Sequence, residues 1–323
     1  MASISGVRSA GPVLCAGIAV QDLVFRVEHF PVPGQKIQAQ DFVIVGGGCA
    51  ANAAVAVARL GGRARYAGPL GGPPDDEPLS DRLLADLARE GVTAEGIVRI
   101  GGVSAPVSAI FIDGSGEKMI ATRRDPKLAA ARVADPDRLV ADIAVLLADN
   151  RYPDFVLPLC QAMRRRGQPV VIDADKVTSI DDPLLATATH VIFSAECLLG
   201  TAGMTELEPA LRKAAARTGA FVAVTNGPDD ILWIEALGLR RMPVFAVEAV
   251  DTLAAGDVFH GAFALALAEG HDEPAAMRFA AAAAALKCTR FGGIAGAPNR
   301  ADVEGLLGQG GNSIQQGAVL PLK

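Results

Sequence analysis

Short apolar runs that alternate with helical segments constrain this chain more than any other feature. Between residues 143 and 227 the runs IAVLLAD, PVVIDAD, THVIFSA and FVAVTNG are separated by segments of helical periodicity. Apolar strands that alternate with helices are typical of a parallel sheet covered on both faces. The sequence therefore predicts an α/β fold, with a mostly parallel central sheet between two layers of helices.

Two strand-like segments, residues 34–45 and 104–123, interrupt this alternation. The second contains PVSAIFIDGSGEKMIAT, in which two strand-like runs flank DGSG, a composition typical of a β-hairpin. We expect the two segments to pair as a small separate sheet, called the lid below, beside one discontinuous α/β domain. That domain comprises residues 12–33, 46–103 and 124–307, and we expect loosely held termini at 1–11 and 308–323.

Charge and cysteine content exclude several classes of protein. The chain has 323 residues and a net charge of −6, which argues against nucleic acid and anionic membranes as partners. Its apolar stretches are too short to span a bilayer, and MASISGVRSAG lacks the apolar core of a signal peptide. The five cysteines form no CxxC pair, which favours a reduced, cytoplasmic location.

The segment DTLAAGDVFHGAF places Asp257 where a helix should begin, directly after three small residues. Small residues leave the backbone N–H groups of Ala255, Gly256 and Asp257 uncovered, and such a helix start binds anions. If it holds a phosphoryl group, the carboxylate beside it can accept the proton of an attacking hydroxyl. A simple helix cap is the alternative, and this segment alone leaves both interpretations open.

Four motifs together resemble one family. VDTLAAGDVFHGAF resembles the C-terminal signature D-T-x-G/A-A-G-D of ribokinase-like (PfkB) carbohydrate kinases. GGGCAANAAVAVARLGG resembles their N-terminal signature, GIAVQD contains their sugar-binding aspartate, and VTNG resembles their nucleotide loop. The similarity runs in order from about residue 12 to 305. It implies a ribokinase-like three-layer α/β/α domain with a β lid, and ATP with Mg²⁺ as cofactors.

The resemblance also implies roles for individual residues. Asp257 corresponds to the catalytic base, and Ala254, Ala255 and Gly256 to the anion hole. The residues that correspond to sugar-binding positions are Asp22, Gly47, Gly48 and Asn52, and those near the nucleotide are Thr225, Gly227 and Lys287.

Metal positions match the family less closely. Asp251 and Thr252 lie where relatives often bind a monovalent cation such as K⁺. Relatives often carry N-x-x-E to place magnesium, whereas this chain has FSAEC, with Ser194 in place of Asn and Glu196 one position early. Glu196 is therefore expected only as an outer magnesium contact. Asp230 also replaces a glycine common in the nucleotide loop.

The acceptor sugar is less constrained. The motifs AVQD, PGQK, VGGGCAA, LADNR, VFHGA and ALKCTRFGG most resemble the 6-deoxy-6-sulfofructose kinase branch. A sulfonate needs fixed cations, for which Lys36 and Arg151 are the candidates, with Arg123 and Arg124 in reserve. Thr122 stands where that branch would have an amide side chain. A neutral sugar such as ribose or fructose, 2-keto-3-deoxygluconate and a nucleoside remain alternatives.

Two other classes of protein can be weighed against a kinase. A dinucleotide-dependent oxidoreductase is disfavoured, because VGGGCAAN does not have the spacing G-x-G-x-x-G. A non-catalytic sugar sensor would not need Asp257.

The resemblance to PfkB kinases further implies a homodimer formed through the lid.

Overall fold

The computed structural model describes residues 11–235 and 238–309. The strands are β1 (Val13–Ala16), β2 (Val20–Arg26), β3 (Asp41–Gly47), β4 (Ala64–Gly71), β5 (Thr93–Ile100), β6 (Val107–Ile112), β7 (Lys118–Arg123), β8 (Val145–Asp149), β9 (Val170–Ala174), β10 (His190–Ser194), β11 (Phe221–Thr225), β12 (Ile231–Glu235) and β13 (Gly238–Met242). The helices are α1 (Cys49–Arg59), α2 (Pro78–Arg89), α3 (Pro136–Leu139), α4 (Pro153–Arg165), α5 (Pro183–Thr187), α6 (Ala195–Ala202), α7 (Leu207–Thr218), α8 (Ala255–Ala268), α9 (Glu273–Cys288) and α10 (Arg300–Gln309).

Nine strands form the central sheet in the order β13-β12-β11-β10-β9-β8-β1-β4-β5. Neighbouring strands from β11 to β5 pair in parallel, and β12 and β13 add an antiparallel edge. Alternate residues of β1 point to opposite faces: Val13 and Cys15 pack with α1, α8 and α9, whereas Leu14 and Ala16 pack with α4, α5 and α7. The predicted three-layer α/β/α fold is confirmed.

The second sheet has four strands in the order β3-β2-β6-β7. It contains the two segments predicted to form the lid, but it also contains β2, which the predicted boundaries place in the larger domain, within residues 12–33. Strand β2 pairs with β3 on one side and β6 on the other, so it is central in the lid. Only three residues, 17–19, separate it from β1 in the main sheet.

Helix α10 continues through Gln309, into the segment expected to be loosely held. The rest of the predicted loose termini, residues 1–10 and 310–323, lies outside the described residues. Within the described part of the chain, no helix has both the length and the apolar character needed to cross a membrane.

Candidate active site

Helix α8 begins without a side-chain cap. Its first flanking residue, Ala254, has φ 63°, in the left-handed region that favours glycine. The N–H of Ala255 donates to the carbonyl of Thr252 at 3.3 Å, whereas the N–H groups of Gly256 and Asp257 make no backbone hydrogen bond among the described residues. A Cβ at Gly256 would meet nothing within 4 Å. The helix start therefore offers two free amides to an anion, where three were expected.

Asp257 lies beside these amides and is held by α1. The side-chain amide of Asn52 donates to Asp257 Oδ2 at 2.6 Å. The two helices approach closely because α8 carries Gly261, where a Cβ would lie 2.5 Å from the carbonyl oxygen of Ala53. The glycine-rich motif and the DTLAAGD motif thus meet at one carboxylate.

Burial raises the pKa of Asp257, and the hydrogen bond from Asn52 opposes this shift. The negative charge of Asp175 acts in the same direction as burial. His260, one turn further along α8, is buried with Nδ1 2.7 Å from the Gly256 carbonyl and Nε2 3.3 Å from the Ile192 carbonyl. Burial lowers the pKa of His260, whose Nδ1 also lies 3.5 Å from Asp173 Oδ2 at the wall of the cavity described below.

Two glycines shape the opposite side of the site. A Cβ at Gly47 would lie 1.9 Å from Asp22 Oδ2, so only glycine leaves room for that carboxylate. Gly48 has φ 94°, and a Cβ there would lie 2.5 Å from the Ile18 carbonyl oxygen. Burial raises the pKa of Asp22 to about 7, against the hydrogen bond from Ser108.

Asn52 also has an unused hydrogen-bonding atom. Its side chain is 4% exposed, and its Oδ1 is buried with no hydrogen-bond partner, although its Nδ2 is bonded to Asp257. Buried polar atoms are nearly always satisfied. Asn52 Oδ1 can therefore accept a hydrogen bond from a ligand hydroxyl next to Asp257.

These groups line a cavity of about 790 Å³ between the lid and the carboxyl ends of the central strands. The predicted site residues that line it are Asp22, Gly48, Asn52, Arg151, Glu196, Thr225, Ala254, Gly256 and Asp257. Ligands of open α/β sheets bind at this edge. Gly47 and Ala255 are their immediate neighbours, and Gly227 lies in the exposed turn after β11 with φ 57°.

The cations of the cavity differ in part from those predicted. Arg151 lines it and is ion-paired with Asp175. Lys36 is exposed in the segment before β3 and is not among the described residues that line the cavity. Two further cations line it: Lys118, on β7, which was not predicted, and Arg124, a reserve candidate, whose guanidinium lies 5.4 Å from the ring centroid of Tyr152.

Carboxylates at the ends of neighbouring strands face the same cavity. Asp173 is the next-to-last residue of β9 and Asp175 directly follows the strand, and Glu196 is exposed in the first turn of α6. Carboxylate oxygens are preferred by Mg²⁺, so the donor set fits this ion. Ser194, in place of the family's Asn, accepts a hydrogen bond from the N–H of Cys197 and caps α6.

The predictions for Lys287 and Asp251 are not supported by the geometry. The ammonium of Lys287 is fully buried and lies 3.0 Å from Asp251 Oδ2, so it does not face the cavity where a nucleotide would bind. Thr252 donates its hydroxyl to the Gly116 carbonyl in the lid hairpin, at 3.4 Å.

Sequence reasoning missed Lys118, which lines the cavity, and Asp149, which holds the backbone beside it. Lys118 shares a face of β7 with Ile120 and Thr122, so a period-two reading of EKMIATR would have found it. Asp149, at the end of β8, accepts hydrogen bonds from the N–H groups of Ile18 and Arg151. Burial raises the pKa of Asp149 to about 6. Its only sequence signal was its position at a strand end.

Comparison with known proteins agrees with this geometry. Ribokinase of Bacillus subtilis (strain 168) is 27% identical over 293 residues, covering 90% of this chain and 97% of that protein. A crystal structure described as a candidate ribokinase from Agrobacterium tumefaciens matches with a TM-score of 0.88 and 37% identity, covering 93% of this chain and 98% of that one. Arabidopsis thaliana ribokinase complexed with ribose and ATP matches with a TM-score of 0.75 and 25% identity, covering 92% and 99%.

The family model described as pfkB family carbohydrate kinase matches residues 12–300. This range includes both sheets, the glycine-rich motif and the start of α8. The resemblance inferred from the motifs is thus confirmed, and the chain belongs to the pfkB family of carbohydrate kinases.

Proposed function

We propose that this protein transfers the γ-phosphoryl group of ATP to a hydroxyl of a small sugar. The observation that carries the proposal is the position of Asp257, directly beside the free amides at the start of α8. The carboxylate accepts the proton of the sugar hydroxyl while the hydroxyl oxygen bonds to the γ-phosphorus. The bond from that phosphorus to the bridging oxygen breaks, and ADP leaves. A base with a raised pKa is suited to this proton transfer.

The sugar is held from two sides in this proposal. Asp22 on the lid accepts hydrogen bonds from hydroxyls, and Asn52 Oδ1 accepts one from the hydroxyl nearest Asp257. Gly47 and Gly48 let the backbone approach the sugar ring. These groups together orient one hydroxyl toward the base. Such positioning of the reacting groups is a large part of how proteins catalyse phosphoryl transfer.

The nucleotide lies on the other side of α8 from the lid in this proposal, with Thr225 and Gly227 beside its phosphates. The amides of Gly256 and Asp257 face the negative charge on the transferring group. Asp173, Asp175 and Glu196 are the residues that would hold Mg²⁺ and its waters, and the ion neutralises phosphate charge when it is bound.

We propose an anionic ketose, with 6-deoxy-6-sulfofructose as the first candidate, as the acceptor. Asp175 offsets the charge of Arg151, but Lys118 and Arg124 make no ion pair within the described part of the chain. Lys118 and Arg124 are therefore available to contact an anionic ligand, although carboxylates also line the cavity, and a sulfonate accepts several charge-assisted hydrogen bonds. The phosphates of ATP also need cations, so substrate preference has to be measured.

A neutral sugar is the second candidate. It is favoured by the names of the relatives, which are ribokinases in Bacillus subtilis and in Arabidopsis thaliana, the latter complexed with ribose and ATP. Thr122 and Ser108, 3.0 Å apart on the cavity side of the lid, would suit neutral hydroxyls as well as a sulfonate.

The lid also offers a surface for a second copy of the chain. Phe42, Phe25, Phe111 and Met119 form a row across all four strands, on the face opposite the cavity. Phe42 and Met119, at its two ends, are 45% and 41% exposed. We propose that this row forms the homodimer contact.

The test of the acceptor is ADP release with Mg-ATP across 6-deoxy-6-sulfofructose, fructose 6-phosphate, fructose, ribose, 2-keto-3-deoxygluconate and adenosine. We expect the highest kcat/KM with the sulfonate. A preference for ribose or fructose would keep the kinase and remove the anionic acceptor. Absence of ADP above the acceptor-free rate with every compound would instead favour a sugar sensor.

A further inference from the structure

Lys287 ends in a fully enclosed site made of oxygen atoms. It lies in the last turn of α9, and its side chain is 0% exposed. Its ammonium nitrogen is 3.0 Å from Asp251 Oδ2, 2.8 Å from the Asp251 carbonyl oxygen and 3.4 Å from the Arg290 carbonyl oxygen. One carboxylate and two carbonyls around a single positive charge are also the kinds of ligand that bind a monovalent cation.

The carboxylate of Asp251 also accepts hydrogen bonds from three backbone N–H groups. Its Oδ1 accepts from the N–H of Leu253 at 2.7 Å, and its Oδ2 accepts from the N–H groups of Gly292 and Gly293 at 2.9 Å each. With the ammonium of Lys287 in place, Oδ2 has three donors, and Oδ1 is bonded to Leu253 inside a side chain that is 0% exposed. Asp251 therefore does not fit a K⁺ ligand, contrary to what the family resemblance implied.

Thr252 does not complete a cation site either. Its hydroxyl is directed to the Gly116 carbonyl in the lid hairpin. The positive charge that this region needs is already supplied from within the chain. Burial lowers the pKa of Lys287, and the negative charge of Asp251 opposes that shift.

We infer that the ammonium of Lys287 takes the place of a bound monovalent cation, so that this kinase works without K⁺. The inference rests on the proposed function where it concerns activity, and on the geometry alone where it concerns cation binding. Lys287 is a positioning residue: it holds Asp251, Asp251 holds the N–H of Leu253, and Leu253 precedes the left-handed Ala254 at the start of α8.

The first test uses the unaltered protein in a buffer whose only cation is tetramethylammonium, apart from Mg²⁺. Adding 100 mM KCl or NH₄Cl, at matched ionic strength, is expected to change kcat/KM by less than about 2-fold. It is also expected to leave the unfolding temperature of the ligand-free protein unchanged. Activation by K⁺ of about 10-fold or more, or a rise in unfolding temperature that is specific to K⁺, would overturn the inference.

The second test opens the site. Lys287→Ala removes the ammonium and leaves its oxygen ligands, so K⁺ or NH₄⁺ should raise both the unfolding temperature and the activity of this variant above their values in tetramethylammonium. Lys287→Met fills the space without charge and should not respond. Lys127→Ala, at an exposed lysine in the short turn before α3, is the matched control.

If Lys287→Ala folds and shows no response to K⁺ or NH₄⁺ in either measurement, the oxygen atoms do not form a cation site and the inference is overturned. If Lys287→Ala does not fold, the measurements on the unaltered protein decide. The unfolding measurements need no substrate, so they test the inference even if the kinase proposal fails.

Discussion

Asn52 and Asp257 lie 205 residues apart in the chain, and the amide of the first donates to the carboxylate of the second at 2.6 Å. One side chain thereby touches the proposed base and, through its free Oδ1, the place where a hydroxyl would lie. In the proposed mechanism, this pair couples binding of the acceptor to its deprotonation.

Removing the carboxylate charge should slow phosphoryl transfer strongly without unfolding the protein. For Asp257→Asn we expect kcat to fall by about 10²- to 10⁴-fold, the usual loss for a general base. Steady-state ADP release measures this, and circular dichroism checks the fold. Asp76→Asn, at an exposed aspartate before α2, is the matched control. An unchanged kcat in Asp257→Asn would exclude the proposed role.

The pH dependence of kcat should reflect the hydrogen bond between Asn52 and Asp257. Asp257 accepts a proton only when ionised, so kcat rises with pH through its pKa. The hydrogen bond from Asn52 lowers that pKa, and Asn52→Ala should therefore move the acidic limb of the kcat profile to higher pH. The KM for the sugar should also rise, by about 10-fold for one lost hydrogen bond to a charged network. A limb that stays in place, or moves to lower pH, would contradict the assignment.

The two sets of candidate cations can be separated by mutation. Lys118→Ala and Arg124→Ala should each raise the KM for an anionic ketose by about 10-fold or more, since each removes a charge-assisted contact. The kcat/KM for ribose or fructose should change much less. If Lys36→Ala shows the larger effect, the prediction for Lys36 is right, and Lys118 and Arg124 are not the acceptor's ligands.

Ala254 should be a strained position. An alanine in the left-handed region costs about 1 kcal/mol or more compared with glycine. Ala254→Gly should therefore raise the free energy of unfolding by about 1 kcal/mol, measured by urea denaturation. Ala275→Gly, at an exposed position in α9, should instead lower it by about 0.5–1 kcal/mol. A loss of stability in both variants would mean that Ala254 is not strained.

The aromatic row on the lid should govern assembly. The ring centroids of Phe25 and Phe42 are 4.7 Å apart, and those of Phe25 and Phe111 are 5.5 Å apart. Phe42→Asp places a charge at the end of this row and should convert a dimer to a monomer in light scattering. Met204→Asp, at an exposed methionine away from the lid, should not. A monomeric unaltered protein would refute the lid dimer.

Much of the fold follows from local pattern. Apolar strands alternating with helices predicted the layered sheet, and DGSG predicted the hairpin of β6 and β7. The assignment of β2 could not be made in the same way. VQDLVFR reads as a strand in either sheet, and only its pairing with β3 and β6 decides which one.

In the site too, residues within local motifs were predicted, whereas a residue whose role depends on a distant contact was not. Asp257, Asn52 and Asp22 lie in motifs, so each was predicted from its neighbours in sequence. Lys287 was misplaced because its partner, Asp251, lies 36 residues away and the contact depends on how α9 packs against the loop before α8. A lysine in ALKCTR has the same local pattern whether it faces solvent, a nucleotide or a buried carboxylate.

The hydrogen bond from Thr252 to the Gly116 carbonyl has a consequence for selectivity. Gly116 is at the tip of the lid hairpin, and Thr252 is five residues before Asp257, so the tip rests on the loop that leads to the base. In the proposed mechanism, an acceptor too bulky for the cavity would hold the tip off this loop and misalign Asp257. The hairpin would then select acceptors by size, and it would exclude an oversized sugar even if all of that sugar's hydroxyls were hydrogen-bonded.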